Sequence, residues 1–196
     1  MKNRKISLAF AAVAVALAPV LASAATDSDN TTINATIGST ISMTTSTTVA
    51  ISLTPTAGGV VSSNSDTVTI NTNNSSGYFL TLEDNDASTN LVSGGNNVAA
   101  HTGTQASPTT LANNRWGYRV DSVGGFGAGP TGAETNNASS TTRWAGVPAS
   151  GSPVTLKTTG TTATNDVTTV WYGVRATSAQ ATGTYTDVVT YTATTN

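Results

Sequence analysis

Apolar residues recur at every second position through most of this chain, and that period constrains the fold more than any other feature. Ile33, Ala35 and Ile37 alternate with Thr32, Asn34 and Thr36. Val49, Ile51 and Leu53 repeat the pattern, as do Val68 with Ile70, and Tyr78 with Leu80 and Leu82. Further sets are Trp116, Tyr118 and Val120, then Val170, Tyr172 and Val174, and last Tyr185, Val189 and Tyr191. Successive side chains of an extended chain point to opposite sides, so each set puts one face in a core and the other toward solvent. Turn-forming residues separate the runs at 55–59, 73–77, 94–97, 113–114, 151–153 and Gly183. Short alternating strands between such signals predict an all-β chain, an antiparallel immunoglobulin-like β-sandwich. No amphipathic helix is expected, only a single helical turn over 108–112 that Pro108 would open.

Composition supports folding over disorder. Only 9% of the residues are charged, whereas disordered chains are usually highly charged and lack alternating apolar positions. Thr, the commonest residue, is β-branched and favours strands, and the abundant Asn, Gly and Ser favour turns. Cysteine is absent, so stability must come from ladders and packing alone.

The amino-terminal residues have the layout of a secretory signal peptide. Lys2, Arg4 and Lys5 precede an uncharged run over 6–21, and Ala22-Ser23-Ala24 supplies a small-residue cleavage site. The expected organisation is a signal peptide at 1–24, a flexible acidic tail at 25–30 and one β-sandwich domain at 31–196. The apolar run is short for a membrane anchor, and no later segment is expected to span a bilayer. The C-terminus carries no apolar tail or sorting signal, so surface attachment is expected to lie elsewhere. Without the three leader cations, five basic residues face ten acidic ones, a net charge of −5. That balance argues against nucleic acid, whose phosphates require a basic patch, and against acidic lipid.

Two segments carry conformational expectations. Residues 122–142, rich in Gly, Ala, Asn and Thr, are expected to be a mobile surface insertion, with a binding or assembly loop as the other reading. Residues 31–37 are expected to pair within their own domain, because Gly38-Ser39-Thr40 allows a tight return and local closure costs little entropy.

Catalysis has little to draw on. His101 is the only histidine and is expected to sit exposed in a polar loop. No Gly-x-Ser-x-Gly elbow is present, and one histidine without cysteine makes a transition-metal site unsupported. The acidic run from Glu83 to Asn90 has oxygen ligands at alternate positions, but it lacks the sixth-position Gly and twelfth-position Glu of a calcium loop. No metal or cofactor is therefore expected. Lys157, the one lysine of the mature chain, is expected to be solvated rather than cross-linked. Binding candidates are Trp171 and Arg175 on the outward face of their strand, with Trp144 and Phe126, because exposed aromatics stack on sugars or proteins and Arg favours interfaces. Burial of Trp171 or Trp144 under a loop is the competing reading. Trp116 and Tyr118 are expected in the core. Asp187, on the same face as Tyr185, is expected to accept backbone N–H groups and pin the preceding turn.

Two resemblances enter here. The run Asp66-Thr-Val-Thr-Ile-Asn-Thr-Asn-Asn-Ser-Ser-Gly-Tyr78-Phe-Leu-Thr-Leu, with Leu111-Ala-Asn-Asn-Arg-Trp116-Gly-Tyr118, resembles uncharacterised secreted surface proteins of small-genome, candidate-phylum bacteria. The C-terminal third is similar to the last strands of spore-coat-U-type secreted pilins: Val167-Thr-Thr-Val170-Trp-Tyr172-Gly-Val174, then Gln180-Ala-Thr-Gly183-Thr-Tyr185-Thr-Asp187-Val-Val189-Thr-Tyr191. The second resemblance implies an immunoglobulin-like subunit that accepts a strand from a neighbour. This chain departs from it in having no cysteine.

The resulting expectation is an exported, non-catalytic structural or adhesive protein of a bacterial cell surface, with self-association or a surface protein or glycan as partner. The alternatives are a pilus-like subunit assembled by strand donation and a carbohydrate-binding module.

Overall fold

Where β-branched and aromatic residues carry the alternation between Gly or Asn turns, the chain forms long ladders. The computed structural model describes residues 25–196, so the signal peptide expected at 1–24 lies outside the described residues. The strands are β1 (Ile41–Thr44), β2 (Val60–Thr72), β3 (Tyr78–Asp84), β4 (Leu91–Ser93), β5 (Asn96–Ala100), β6 (Thr109–Thr110), β7 (Arg115–Arg119), β8 (Arg143–Trp144), β9 (Val154–Thr158), β10 (Ala163–Ala176) and β11 (Val189–Thr195). The described residues contain no helix. Ile37–Asn196 form one compact unit.

A six-stranded sheet runs β1-β2-β10-β7-β5-β4, and a three-stranded sheet runs β11-β3-β9. A further pair, β6-β8, forms its own short ladder, and Ala145, next after β8, exchanges backbone hydrogen bonds with Tyr118 of β7. Every ladder is antiparallel except β5 with β7. The larger sheet curls as a half-barrel. Its spine is the antiparallel ladder of β2 and β10, in register from Asp166 opposite Ile70 to Ala176 opposite Val60.

The inward rows of both sheets meet in one cluster. Val68 and Ile70 of β2, Trp116 and Tyr118 of β7, and Val170 and Tyr172 of β10 pack with Tyr78, Leu80 and Leu82 of β3 and Leu156 of β9. Burying a large apolar side chain of this kind contributes about 1.5–3 kcal/mol, so the alternation seen in sequence is the main stabilising device. The turn between β2 and β3 depends on Gly77, whose φ is +80° and where an added Cβ would lie 2.3 Å from the Thr159 carbonyl oxygen.

Several sequence expectations need correcting. Residues 31–37 form no strand, and Ile33 and Ile37 are 89% and 87% exposed. Residues 49–53 form no ladder either, although Val49 and Ile51 pack against the core. Here β2 side chains take the place of a backbone ladder: Asn64 donates to the Ala50 carbonyl, and Asp66 accepts from the Ser46 N–H. No helical turn forms at 108–112, because Thr109 and Thr110 pair with Trp144 and Arg143. His101 is 7% exposed, not a solvent-facing loop residue, and its Nε2 lies 2.8 Å from the Thr109 hydroxyl.

The Gly-rich stretch at 122–142 is pinned rather than left mobile. Its backbone pairs with β2 through Val61 with Asn137 and through Ser63 with Glu134. The hydroxyls of Ser62 and Ser63 accept the N–H groups of Asn136 and Glu134. Within the stretch, the Glu134 carboxylate accepts from Asn137, Ser140 and Thr142. Polar side chains thus supply the order that the missing apolar residues cannot.

Candidate functional site

The binding candidates do not form an exposed platform. Trp171 does lie opposite Val170 and Tyr172, on the outer face of the six-stranded sheet. There it is half-buried against Val61, Leu111 and Trp144. Trp144 is fully buried, reaching that face through the space above Gly173, where an added Cβ would lie 2.7 Å from the indole. Phe126 is 3% exposed, edge-on to Tyr118 at 5.6 Å and beneath the Arg119 guanidinium at 5.8 Å. Arg175 is half-buried and donates to the carbonyls of Leu111 and Gly58. A sugar ring needs an open aromatic face, which Trp144 and Phe126 do not present.

The residues expected to be structural are woven into the core and its turns. Trp116 stacks on Tyr172 at 6.4 Å and donates its indole N–H to the Thr89 carbonyl. Tyr118 donates to Gln105. Tyr185 donates to the Ala181 carbonyl and accepts from Gln180. Asp187 accepts the N–H of the following residue, Val188, at 2.8 Å and none from the preceding turn, which it therefore does not pin as expected. Lys157 is not free in solvent: its ammonium pairs with Asp166, which also accepts from the Tyr78 hydroxyl at 2.8 Å. Burial alone would raise the Asp166 pKa, but hydrogen bonds from Lys157 and Tyr78 hold it below its usual value. His101 is held below its ordinary pKa, first by burial and then by Arg115.

Two features have the character of sites. The first is a seam where the edge strands β1 and β11 run beside each other without a ladder. Ile41 and Met43 of β1 line one side, continued by Val49 and Ile51, and Val189, Tyr191 and Ala193 of β11 line the other. All seven are only partly buried against the core. β11 has a single ladder, to β3, so its other edge, beside β1, keeps its backbone groups outside any ladder among the described strands. Residues 31–37, with Ile33 and Ile37 exposed, carry the alternation that such an edge accepts.

The second is a pair of carboxylates at the end of β3. Asp84 is 1% exposed, and its Oδ1 accepts the Asp86 N–H while Oδ2 has no partner. The Asp187 Oδ2 is also buried and unpartnered. The two carboxyl groups are within hydrogen-bonding reach of each other. Burial first, then the negative neighbours Asp84 and Asp86, pushes the Asp187 pKa up to about 6. Reading the chain linearly missed this pair, because the two residues are far apart in sequence. The only sequence signal was an inward-facing Asp on a strand otherwise lined by Tyr and Val.

Among the described residues no group of three or more His, Cys, Asp or Glu side chains is arranged to hold a metal, and no helix is long and apolar enough to cross a membrane. Comparison with protein-family models, with curated proteins and with solved structures found no match to this chain.

Proposed function

We propose that this protein is an exported, non-catalytic structural or adhesive component of a bacterial cell surface. The reading rests on a body whose loops are tied down by side-chain hydrogen bonds, as load or adhesion at a surface requires. It also rests on the resemblance of residues 66–82 and 111–118 to secreted surface proteins. Cell fractionation tests it: the protein belongs in the surface or filament fraction, and a purely cytoplasmic protein would rule the reading out.

A specific observation favours one form of this role, a pilus-like subunit assembled by strand donation. On this reading the two sheets are an immunoglobulin-like sandwich whose three-stranded sheet lacks a closing strand. Residues 31–37 of one copy would then pair with the unladdered edge of β11 in the next, moving β1 from beside it. Exposed Ile33 and Ile37 and the unladdered edge of β11 support it. Main-chain hydrogen bonds would give such a joint its affinity, and alternate side chains its register. Head-to-tail donation gives open chains rather than closed dimers.

The test deletes residues 25–37 from the mature protein. The truncated protein should stay a folded monomer, lose polymerisation in sedimentation, and bind a free peptide of residues 31–37. A truncated protein that aggregates, or melts well below the intact one, would place the segment inside its own domain and end the donation reading.

A further inference from the structure

The carboxylate pair at the end of β3 has a chemistry that the surface role leaves unused. Asp84 is almost wholly buried, yet one of its oxygens faces no hydrogen-bond donor. The opposing Asp187 oxygen is in the same position. Two unpartnered carboxylate oxygens held together away from water repel each other and carry a desolvation cost of several kcal/mol unless a shared proton or a cation sits between them. Among the described residues no side-chain cation pairs with either carboxylate: the ion pairs there are Arg119 with Asp121 and Lys157 with Asp166.

We propose that Asp84 and Asp187 bind a calcium ion between the end of β3 and the turn that enters β11. The ligand type points to a hard cation, since the site offers only oxygen. Asp86, which acts electrostatically on Asp187, adds negative charge beside the pair. The remaining positions would be filled by backbone carbonyls and water, as calcium accepts and transition metals do not. Two carboxylates fall short of the full cage of a tight sensor. The expected affinity is therefore in the range of extracellular modules, roughly 0.1–1 mM.

The placement also gives the ion a structural task. Val189 pairs with Asp84 at the last rung of the β3–β11 ladder, and Asn85 donates to the Val188 carbonyl. An ion between Asp84 and Asp187 would lock the start of β11 to β3.

The experiment follows the thermal unfolding of the intact mature protein, treated with chelator, as calcium chloride is added to about 10 mM. Sodium chloride at equal ionic strength is the control, and calcium binding is measured in parallel by calorimetry. At about tenfold over the dissociation constant the melting temperature should rise by about 3–5 °C. Asp187→Asn, an isosteric change at a half-buried position, should remove both the rise and the calorimetric signal while the β-type circular dichroism is kept. Asp84→Asn should do the same if it folds. A wild type indifferent to 10 mM calcium overturns the proposal. So does a rise that sodium chloride reproduces, or one that persists undiminished in Asp187→Asn.

Discussion

The hydroxyl oxygens of Tyr172 on β10 and Tyr191 on β11 lie 2.6 Å apart, joining the six-stranded sheet to the three-stranded one through the core. A second polar tie runs from Tyr78 of β3 to Asp166 of β10, where Lys157 of β9 joins it. In a chain without disulfides these ties fix how the two sheets sit on each other. Apolar packing alone is non-directional, whereas a buried hydroxyl pair has one geometry. Burial raises the pKa values of Tyr172 and Tyr191 above their ordinary value, so both stay protonated.

Replacing either phenol tests the first tie. Tyr172→Phe and Tyr191→Phe should each lower stability by about 1 kcal/mol, the net worth of a buried hydrogen bond. The double variant should cost less than the sum of the two, because they lose the same contact. Denaturant unfolding of all four proteins measures this, and strict additivity would show that the hydroxyls do not interact.

The second tie depends on acid. The folded pKa of Asp166 is lowered, so the folded state binds its proton less readily than the unfolded chain. Its stabilising contribution is present above the unfolded value of 3.8 and is lost as pH falls through the lower folded value. Asp166→Asn should flatten that part of the stability curve. The loss at neutral pH should stay below about 1 kcal/mol, since both side chains are partly solvated. Melting temperatures from pH 2 to 7 for both proteins would reveal the difference, and parallel curves would refute the linkage.

Gly173 is required by its neighbour rather than by its own backbone angle. A Cβ there would lie 2.7 Å from the Trp144 ring, so Gly173→Ala should displace the indole. We expect a loss of about 1–3 kcal/mol, the usual cost of overpacking, with a red shift in tryptophan emission as Trp144 gains solvent. An alanine variant of unchanged stability and emission would contradict this packing.

Glu134 organises the Gly-rich stretch by accepting from Asn137, Ser140 and Thr142. Glu134→Ala should leave these donors without their acceptor and loosen residues 134–142 from β2. Amide exchange at Asn137 and Val61, which exchange backbone hydrogen bonds, should quicken at least tenfold. The global melting temperature should change far less. Unchanged protection at those amides would show that the backbone bridge holds the stretch unaided.

The period of two was enough to locate the strands that carry the core. Val68 with Ile70, Tyr78 with Leu80 and Leu82, and Val170 with Tyr172 are all buried as that period requires. The same signal failed at 31–37 and 49–53, since alternation reports which face is apolar, not whether a neighbouring backbone is there to pair with. It also misled about exposure. Trp171 does turn away from the main core, yet a distant segment carrying Leu111 and Trp144 covers it.

What the sequence determined by itself was the all-β character, the turn positions and the inward rows, because these follow from local side-chain alternation and backbone preference. Only the tertiary structure decided which strands became edges, that Trp144 would fill the space over Gly173, and that Asp84 would meet Asp187. Those outcomes depend on contacts between residues remote in the chain, and no local pattern encodes which remote surface will arrive.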